Sequence, residues 1–326
     1  MTQTMLAGVA SENGIELREI ARPLPAAEQI LVRVAAAGMN RADLNAAKGA
    51  GVANKDALGK PIGMEWAGEV VDVGRDVRDF KAGDMVMCSG TGGYAEFAVA
   101  DAGRTLKLKP GFDMKEAAVL PLALLTAHDA VVTNGQLRRG DAVLVQGASS
   151  AVGLMSLQIA KLKGAGVIAG TSTNAGRRGR LHEFGATLAL DPANVSWTDD
   201  LMQATNGAGA NVIVDMISGP SVGLSMKVAA VRGRVINVGR LGGTKAEFDF
   251  DLHAAKRLNY IGVTFRTRTR DEIRQIVSRM RDDLWEHIEA GTLALPLDSS
   301  FPLADVRAAH KHMAANAHFG KIVLIP

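Results

Sequence analysis

Gly147-x-x-Ser150-x-x-Gly153 is the spacing in this chain that can do chemistry. It follows a short apolar, β-branched run (142–146) and opens an amphipathic pattern carried by Val152, Met155, Ile159 and Leu162. A strand, a tight turn and a helix N-terminus place backbone N–H groups where a pyrophosphate can sit, so Ser149, Ser150, Ala151 and Val152 are candidate contacts for a dinucleotide. A second group lies at the end of the next apolar run, Thr171-Ser-Thr-Asn174, with Arg177 and Arg178 just beyond. A site for NAD places an Asp or Glu there, about 20 residues past the first glycine, to bind the ribose 2′-OH. Here the run ends in neutral donors and two guanidinium groups, which suit a 2′-phosphate and favour NADPH, with contacts from Thr171, Ser172, Asn174 and Arg177. The competing reading of the arginine pair is a solvated helix start. Gly239 and Arg240, after the run at 235–238, are expected near the pyrophosphate or the adenosine.

These groups need a scaffold, and the patterning supplies two. From residue 17 to about residue 100 the chain reads as short strands (30–35, 65–73, 85–88, 95–99) punctuated by glycines, which suggests a compact β-barrel. From Gly140 strands at 142–146, 167–171, 187–190, 211–215, 235–238 and 260–264 alternate with helical patterns, the form of a parallel doubly wound sheet. A helix at 272–290, a strand near 299–301, a helix at 304–315 and a last strand at 321–325 exceed a six-stranded nucleotide fold and are expected to return to the first domain. The expected domains are 1–122 with 265–326, and 123–264.

The bulk numbers agree with two folded domains: 326 residues, 47% hydrophobic and 22% charged. A net charge of +3, dispersed along the chain, argues against nucleic acid or a membrane surface as partner. No basic–apolar leader and no long apolar run is visible, and the single cysteine, Cys88, allows no internal disulfide, so a reducing cytoplasm is expected. Cys88 itself is expected to be a small buried hydrophobe rather than a nucleophile.

Gly38-Met-Asn-Arg-Ala-Asp43, Gly63-Met-Glu-Trp-Ala-Gly-Glu69, Gly83-Asp84, Gly140-Asp141 and Ala148–Gly153 with Gln158-Ile-Ala-Lys161 together resemble the medium-chain dehydrogenase/reductase superfamily, in its zinc-free quinone oxidoreductase branch. Val238-Gly-Arg-Leu-Gly-Gly-Thr-Lys-Ala-Glu247, Lys256-Arg-Leu258, Thr264-Phe-Arg-Thr-Arg268 and His318-Phe-Gly-Lys-Ile-Val-Leu324 resemble the subgroup of the tumour-suppressor-inducible quinone oxidoreductase. The resemblance implies an α/β protein: a GroES-like β-barrel catalytic domain plus a Rossmann-type doubly wound parallel sheet. It implies Asn40 and Asp43 beside the nicotinamide, Thr126 at its ribose or ring, Thr264, Phe265 and Arg266 at its carboxamide edge, and Lys321 closing the cofactor cleft. Asn40 and Thr126 have turn or capping roles as alternatives, and Asp43 an N-cap role. Relatives carry a lysine at the position of Arg177, and a tyrosine where this chain has Pro192.

Zinc-dependent relatives hold their metal near Asn40, at Met64 and near Ala123, and none of those ligands is present here, so no metal is expected. His310, His312 and His318 are expected to face solvent or cap a helix, and His128 to be structural. The implied reaction is NADPH-dependent hydride transfer to a quinone by a homodimer paired through the edge strand at 258–264. A tyrosine common a few residues past the Asn40 motif is missing from Lys48-Gly-Ala-Gly-Val-Ala53, which weighs against enoyl thioesters. A reductase of enones or alkenals, or a nucleotide-binding protein with little catalysis, remain alternatives.

Overall fold

The computed structural model describes residues 3–47 and 58–326; the Lys48–Ala53 stretch lies outside them. The chain divides into two compact units, Met1–Leu122 with Ala294–Pro326, and Ala123–Leu293.

In the first unit, β1 (Thr4–Ser11) and β2 (Gly14–Ala21) form an antiparallel hairpin. The main sheet is built from β3 (Gln29–Gly38), β4 (Glu65–Val73), β5 (Met85–Ser89), β6 (Phe97–Asp101) and β7 (Thr105–Lys107). A short helix, α1 (Arg41–Ala47), follows β3, and α2 (Met114–Ala117) follows β7. The chain then enters α3 (Pro121–His128), which runs across the boundary between the units. β3 is the hub, pairing antiparallel with both β4 and β6. Its approach to β4 is close: a Cβ at Gly68 would come within 2.0 Å of the Arg33 carbonyl oxygen. Trp66, Tyr94 and Met39 fill the interior of this unit.

The second unit is a six-stranded, wholly parallel sheet: β8 (Ala142–Gln146), β9 (Val167–Thr171), β10 (Leu188–Leu190), β11 (Ala210–Asp215), β12 (Ala229–Asn237) and β13 (Asn259–Gly262). Their spatial order is β10-β9-β8-β11-β12-β13, the 3-2-1-4-5-6 order of a dinucleotide-binding sheet. β8 is buried along its whole length, which is why its sequence is a continuous apolar run rather than an alternation. The crossovers include α4 (Ala151–Leu162), α5 (Ala175–Gly179), α6 (Trp197–Ala204), α7 (Val222–Val228) and α8 (Phe250–Lys256). β12 begins six residues before its expected start; its pairing with β11 shifts register between Ala210 and Val212, and Arg232 takes a positive φ of 63°. Those irregularities hide a strand from any period-2 reading.

α9 (Arg270–Glu289) opens with a capping box between Thr269 and Glu272 and buries Ile273, Ile276, Val277, Met280, Leu284 and Ile288. It belongs to the second unit, not to the first as the boundary at 264/265 anticipated. The reason is electrostatic as well as apolar: Asp283 on α9 accepts from His128 (2.9 Å) and Lys163 (3.0 Å), and Arg268 pairs with Asp129. The remaining tail does return to the first unit. β14 (Leu297–Pro302) and β15 (Lys321–Ile325) pair in parallel, β15 joins β3, and α10 (Val306–Ala314) packs its buried Val306, Ala309 and Met313 on that unit's core. Among the described residues no helix is long and apolar enough to cross a membrane.

Candidate functional site

The first unit gathers three side chains at the end of β3: Asn40, Glu65 and Lys321. Glu65 is fully buried at the start of β4, and Lys321 is 3% exposed at the start of β15. The Lys321 ammonium donates to Glu65 Oε1 (2.5 Å), to the Met39 carbonyl (2.7 Å) and to Asn40 Oδ1 (2.8 Å). Three N–H groups meet three acceptors, so the Lys321 ammonium is fixed between Glu65 and Asn40. Asn40 Nδ2 donates to the same Glu65 oxygen at 2.9 Å, and the other Glu65 oxygen accepts from the Leu122 N–H at 2.8 Å. Lysine can only donate, so the Asn40 oxygen must face it. The amide is thereby fixed, with one Nδ2–H uncommitted on a half-buried side chain.

Asp43 was expected to line the same site or to cap a helix. It is fully buried, and its Oδ2 accepts from the Asn40 backbone N–H (2.8 Å) and the Tyr94 hydroxyl (2.6 Å). As the third residue of α1 it reaches back to the residue before the helix, which is half of a capping box. Burial pushes its carboxyl up to about 6 against the pull of those two donors. Asp43 therefore holds the Asn40 backbone from behind. Tyr94 in turn packs edge-on against His310, which is buried rather than solvent-facing, with burial lowering its imidazole to about 4. His312 bonds Asp298 at 3.0 Å. Among the described residues no group of three or more His, Cys, Asp or Glu side chains is arranged to hold a metal. Cys88 is buried on β5, and burial pushes its thiol up to about 12.

In the second unit the glycine loop has the form the spacing predicts. Gly147 turns at φ 73°, and a Cβ at Gly153 would sit 2.7 Å from Ala148 Cα, so only glycine lets α4 approach the end of β8. Ser150 caps α4, accepting from the Gly153 N–H at 3.1 Å, while the first-turn N–H groups of Ala151 and Val152 point out of the helix end. Thr171 departs from expectation. It is 1% exposed; its hydroxyl donates to Gln146 Oε1 (2.8 Å) and accepts from the Gly147 N–H (3.0 Å), so it braces the loop from below. Ser172 Oγ bonds Ser149 Oγ at 3.1 Å, joining the two turns, and Asn174 caps α5 through the Arg177 N–H. Arg177 is half-buried on α5; Arg178 donates to the Ser172 carbonyl (2.8 Å) and pairs with Asp191 (3.1 Å).

Three loops at the carboxyl ends of the later strands complete this edge. Asp215, fully buried at the end of β11, accepts from the N–H groups of Ile217 and Ser218 at 2.9 Å each. Ser218 holds a positive φ of 57° and bonds Asn237 and the Gly239 carbonyl. Gly239 has no room for a side chain, since a Cβ would meet the Met216 oxygen at 2.4 Å; Arg240 is exposed. Thr264 and Phe265 are half-buried and Arg266 exposed on the loop after β13, while Thr126 is buried on α3. His128 is buried against Asp283, and burial lowers its imidazole, as fits a structural histidine. The sequence does not show Glu65 as a partner for Asn40, nor the roles of Tyr94, Asp215, Ser218, Asp129 and Arg268. The positive φ at Ser218 and the long-range ion pairs carry no local sequence signal.

A GroES-like unit and a 3-2-1-4-5-6 parallel sheet with a glycine-rich first turn in one chain define a nucleotide-dependent oxidoreductase. Family models agree: residues 26–110 match the alcohol dehydrogenase GroES-like domain, and residues 151–282 match the zinc-binding dehydrogenase domain. The quinone oxidoreductase of Homo sapiens is 30% identical over 310 residues, covering 94% of this chain and 92% of that protein. An alcohol dehydrogenase superfamily protein from Novosphingobium aromaticivorans superposes with a TM-score of 0.88 at 29% identity, covering 99% of this chain and all of that one. A mycobacterial protein solved in complex with NADPH superposes with a TM-score of 0.87 at 25% identity, over 99% of this chain and all of the other. The chain belongs to the quinone oxidoreductase branch of the medium-chain dehydrogenase/reductase superfamily.

Proposed function

We propose that the protein is an NADPH-dependent quinone oxidoreductase that transfers hydride without a metal, as the resemblance to the tumour-suppressor-inducible subgroup implies. The observation that carries this reading is the Asn40 amide, held by Lys321 and Glu65 with one N–H left to donate. The bound dinucleotide supplies the hydride. Asn40 donates to the carbonyl oxygen of the acceptor as negative charge develops there. The protein residues that fit the cofactor are the glycine loop at Gly147–Gly153, the α4 N-terminus and the Ser172–Arg178 turn, whose Cβ-excluding glycines and guanidinium groups suit a phosphorylated dinucleotide. The human quinone oxidoreductase and the mycobacterial NADPH complex support the acceptor and the nucleotide respectively. NADPH oxidation driven by 9,10-phenanthrenequinone tests the whole reading, and turnover with simple enones but not quinones would move the assignment to the alkene reductase alternative.

NADPH is expected to bind more tightly than NADH, and Arg177→Ala to remove about 1.5–3 kcal/mol from NADPH binding while leaving NADH unchanged. Fluorescence titration with both nucleotides measures it; equal affinities in the wild type would overturn the preference. Dialysis against a strong chelator is expected to leave turnover intact. Both Glu65 oxygens are engaged by Lys321, Asn40 and the Leu122 N–H, and the neighbouring position is Met64, so the residues here suit an amide donor better than a cation. Activity lost on chelation and restored only by zinc would refute that. β13 ends the parallel sheet with one edge unpaired among the described residues, and Tyr260 and Phe250 are exposed near it. We propose that two such edges meet in a homodimer; a monomer mass by light scattering at micromolar concentration would exclude it.

A further inference from the structure

Arg268 braces the loop after β13. Arg268 folds back so that its Nε donates to the Thr264 carbonyl (2.9 Å), its Nη2 meets Asp129 Oδ2 (2.7 Å), and its guanidinium lies 5.8 Å from the Phe265 ring centroid. Asp129 is 1% exposed, so this is no surface pair: a lone carboxylate there is costly, and one arm of Arg268 meets one of its oxygens while His128 and Arg279 add positive charge nearby. Asp129 opens a π-helical turn, Asp129–Asn134, that continues directly from α3 three residues after Thr126. Such turns need a reason to persist, and they gather at functional sites. The Asn134 amide bonds the Asp129 carbonyl at 2.9 Å and closes the turn on itself.

Topology gives this clamp a purpose. Ligands of a doubly wound sheet lie beyond the carboxyl ends of its strands, one mononucleotide over each half. The glycine loop after β8 and the Ser172–Arg178 turn after β9 occupy one half of that edge, and the Thr264–Arg268 loop leaves the end of the outermost strand of the other. The half away from the 2′-phosphate turn is the one that receives the nicotinamide mononucleotide. We infer that Asp129 and Arg268 are positioning residues for the nicotinamide end of the cofactor, their ion pair fixing the Thr264–Arg266 loop to the helix that carries Thr126. The inference rests on the dinucleotide reading of this unit. Neither residue need touch the cofactor; Arg268 sets where the Thr264 carbonyl and the Arg266 N–H, itself bonded to Thr264 Oγ1 at 3.2 Å, are held.

A staple that merely supports the fold would weaken every ligand of the unit alike, and a nicotinamide clamp would not. The experiment is calorimetric titration of wild type, Arg268→Lys, Asp129→Asn and the neutral pair Asp129→Asn with Arg268→Gln. The ligands are NADPH and 2′-phospho-ADP-ribose, which is the same molecule without its nicotinamide. Arg268→Lys keeps the charge but not the fork, and Asp129→Asn keeps the shape, so both are expected to fold. Each single change is expected to weaken NADPH about tenfold and the fragment by less than about twofold, with the neutral pair recovering part of the loss. Equal losses on both ligands, or no loss on NADPH, would overturn the inference and leave the nucleotide reading standing. NADH and ADP-ribose run alongside: a wild type that binds none of the four ligands removes the dinucleotide reading and this inference with it.

Discussion

Asn40→Ala is expected to lower kcat/KM for an ortho-quinone about a hundredfold while NADPH affinity stays within about twofold. The size follows from where the amide is needed. A preorganised donor aimed at developing charge is worth roughly 2.7–4 kcal/mol, because it is already oriented and owes no reorganisation in the transition state. Lys321 and Glu65 provide that orientation: the first takes Oδ1 at 2.8 Å, the second takes one Nδ2 hydrogen at 2.9 Å, and the second hydrogen remains. Asn40→Asp is the sharper control, since it offers Lys321 an oxygen and the substrate a negative charge, and it should be at least as inactive as alanine. Steady-state kinetics with two quinones of different size measure both variants. Full activity in Asn40→Ala would reduce Asn40 to a turn residue and leave the hydride transfer without a protein donor in the first unit.

What was legible beforehand was what is local. β4, β8, β9 and β15 have the bounds their apolar runs predict, and the glycine spacing before α4 has the turn and the tight packing that such spacing implies. The resemblance, through the motif around Asn40, points to both Asn40 and Asp43. It could not tell Asn40 from Asp43, because both lie in one short segment and only the fold decides that one is half-buried and the other sealed behind Tyr94. The same limit explains Lys321. The resemblance places Lys321 at the mouth of the cofactor cleft, but its partner Glu65 lies 256 residues away in sequence, so no local pattern shows that the two meet. Thr171 shows the same limit: a neutral donor at a strand tip suits a 2′-phosphate, and nothing local shows that its hydroxyl also braces the glycine loop. α9 carried a strong amphipathic pattern that predicted the helix and said nothing about which core its apolar face would join.

Lys321→Met is expected to destabilise the first unit by about 3–5 kcal/mol, the largest stability effect of a single substitution at this site. The loss comes less from the attraction that disappears than from what is left behind. Glu65 is fully buried, and without the ammonium its carboxylate keeps only the Asn40 amide and the Leu122 N–H as partners, while Asn40 Oδ1 and the Met39 carbonyl lose their donor. Adding Glu65→Gln to Lys321→Met removes the stranded charge and is expected to restore at least about 1 kcal/mol, though the carbonyls stay unmet. Guanidinium unfolding followed by tryptophan fluorescence, in backgrounds that keep only Trp66 or only Trp197 of the three tryptophans, separates the two transitions. Only the first should move. The coupled consequence is catalytic: an Asn40 amide released on its Oδ1 side can rotate, so Lys321→Met should lower kcat more than it raises the KM for quinone, and the Gln double variant should regain stability without regaining rate. A single variant as stable as wild type would mean that water or a shifted backbone replaces the ammonium, and would remove Lys321 from the account of how Asn40 is held.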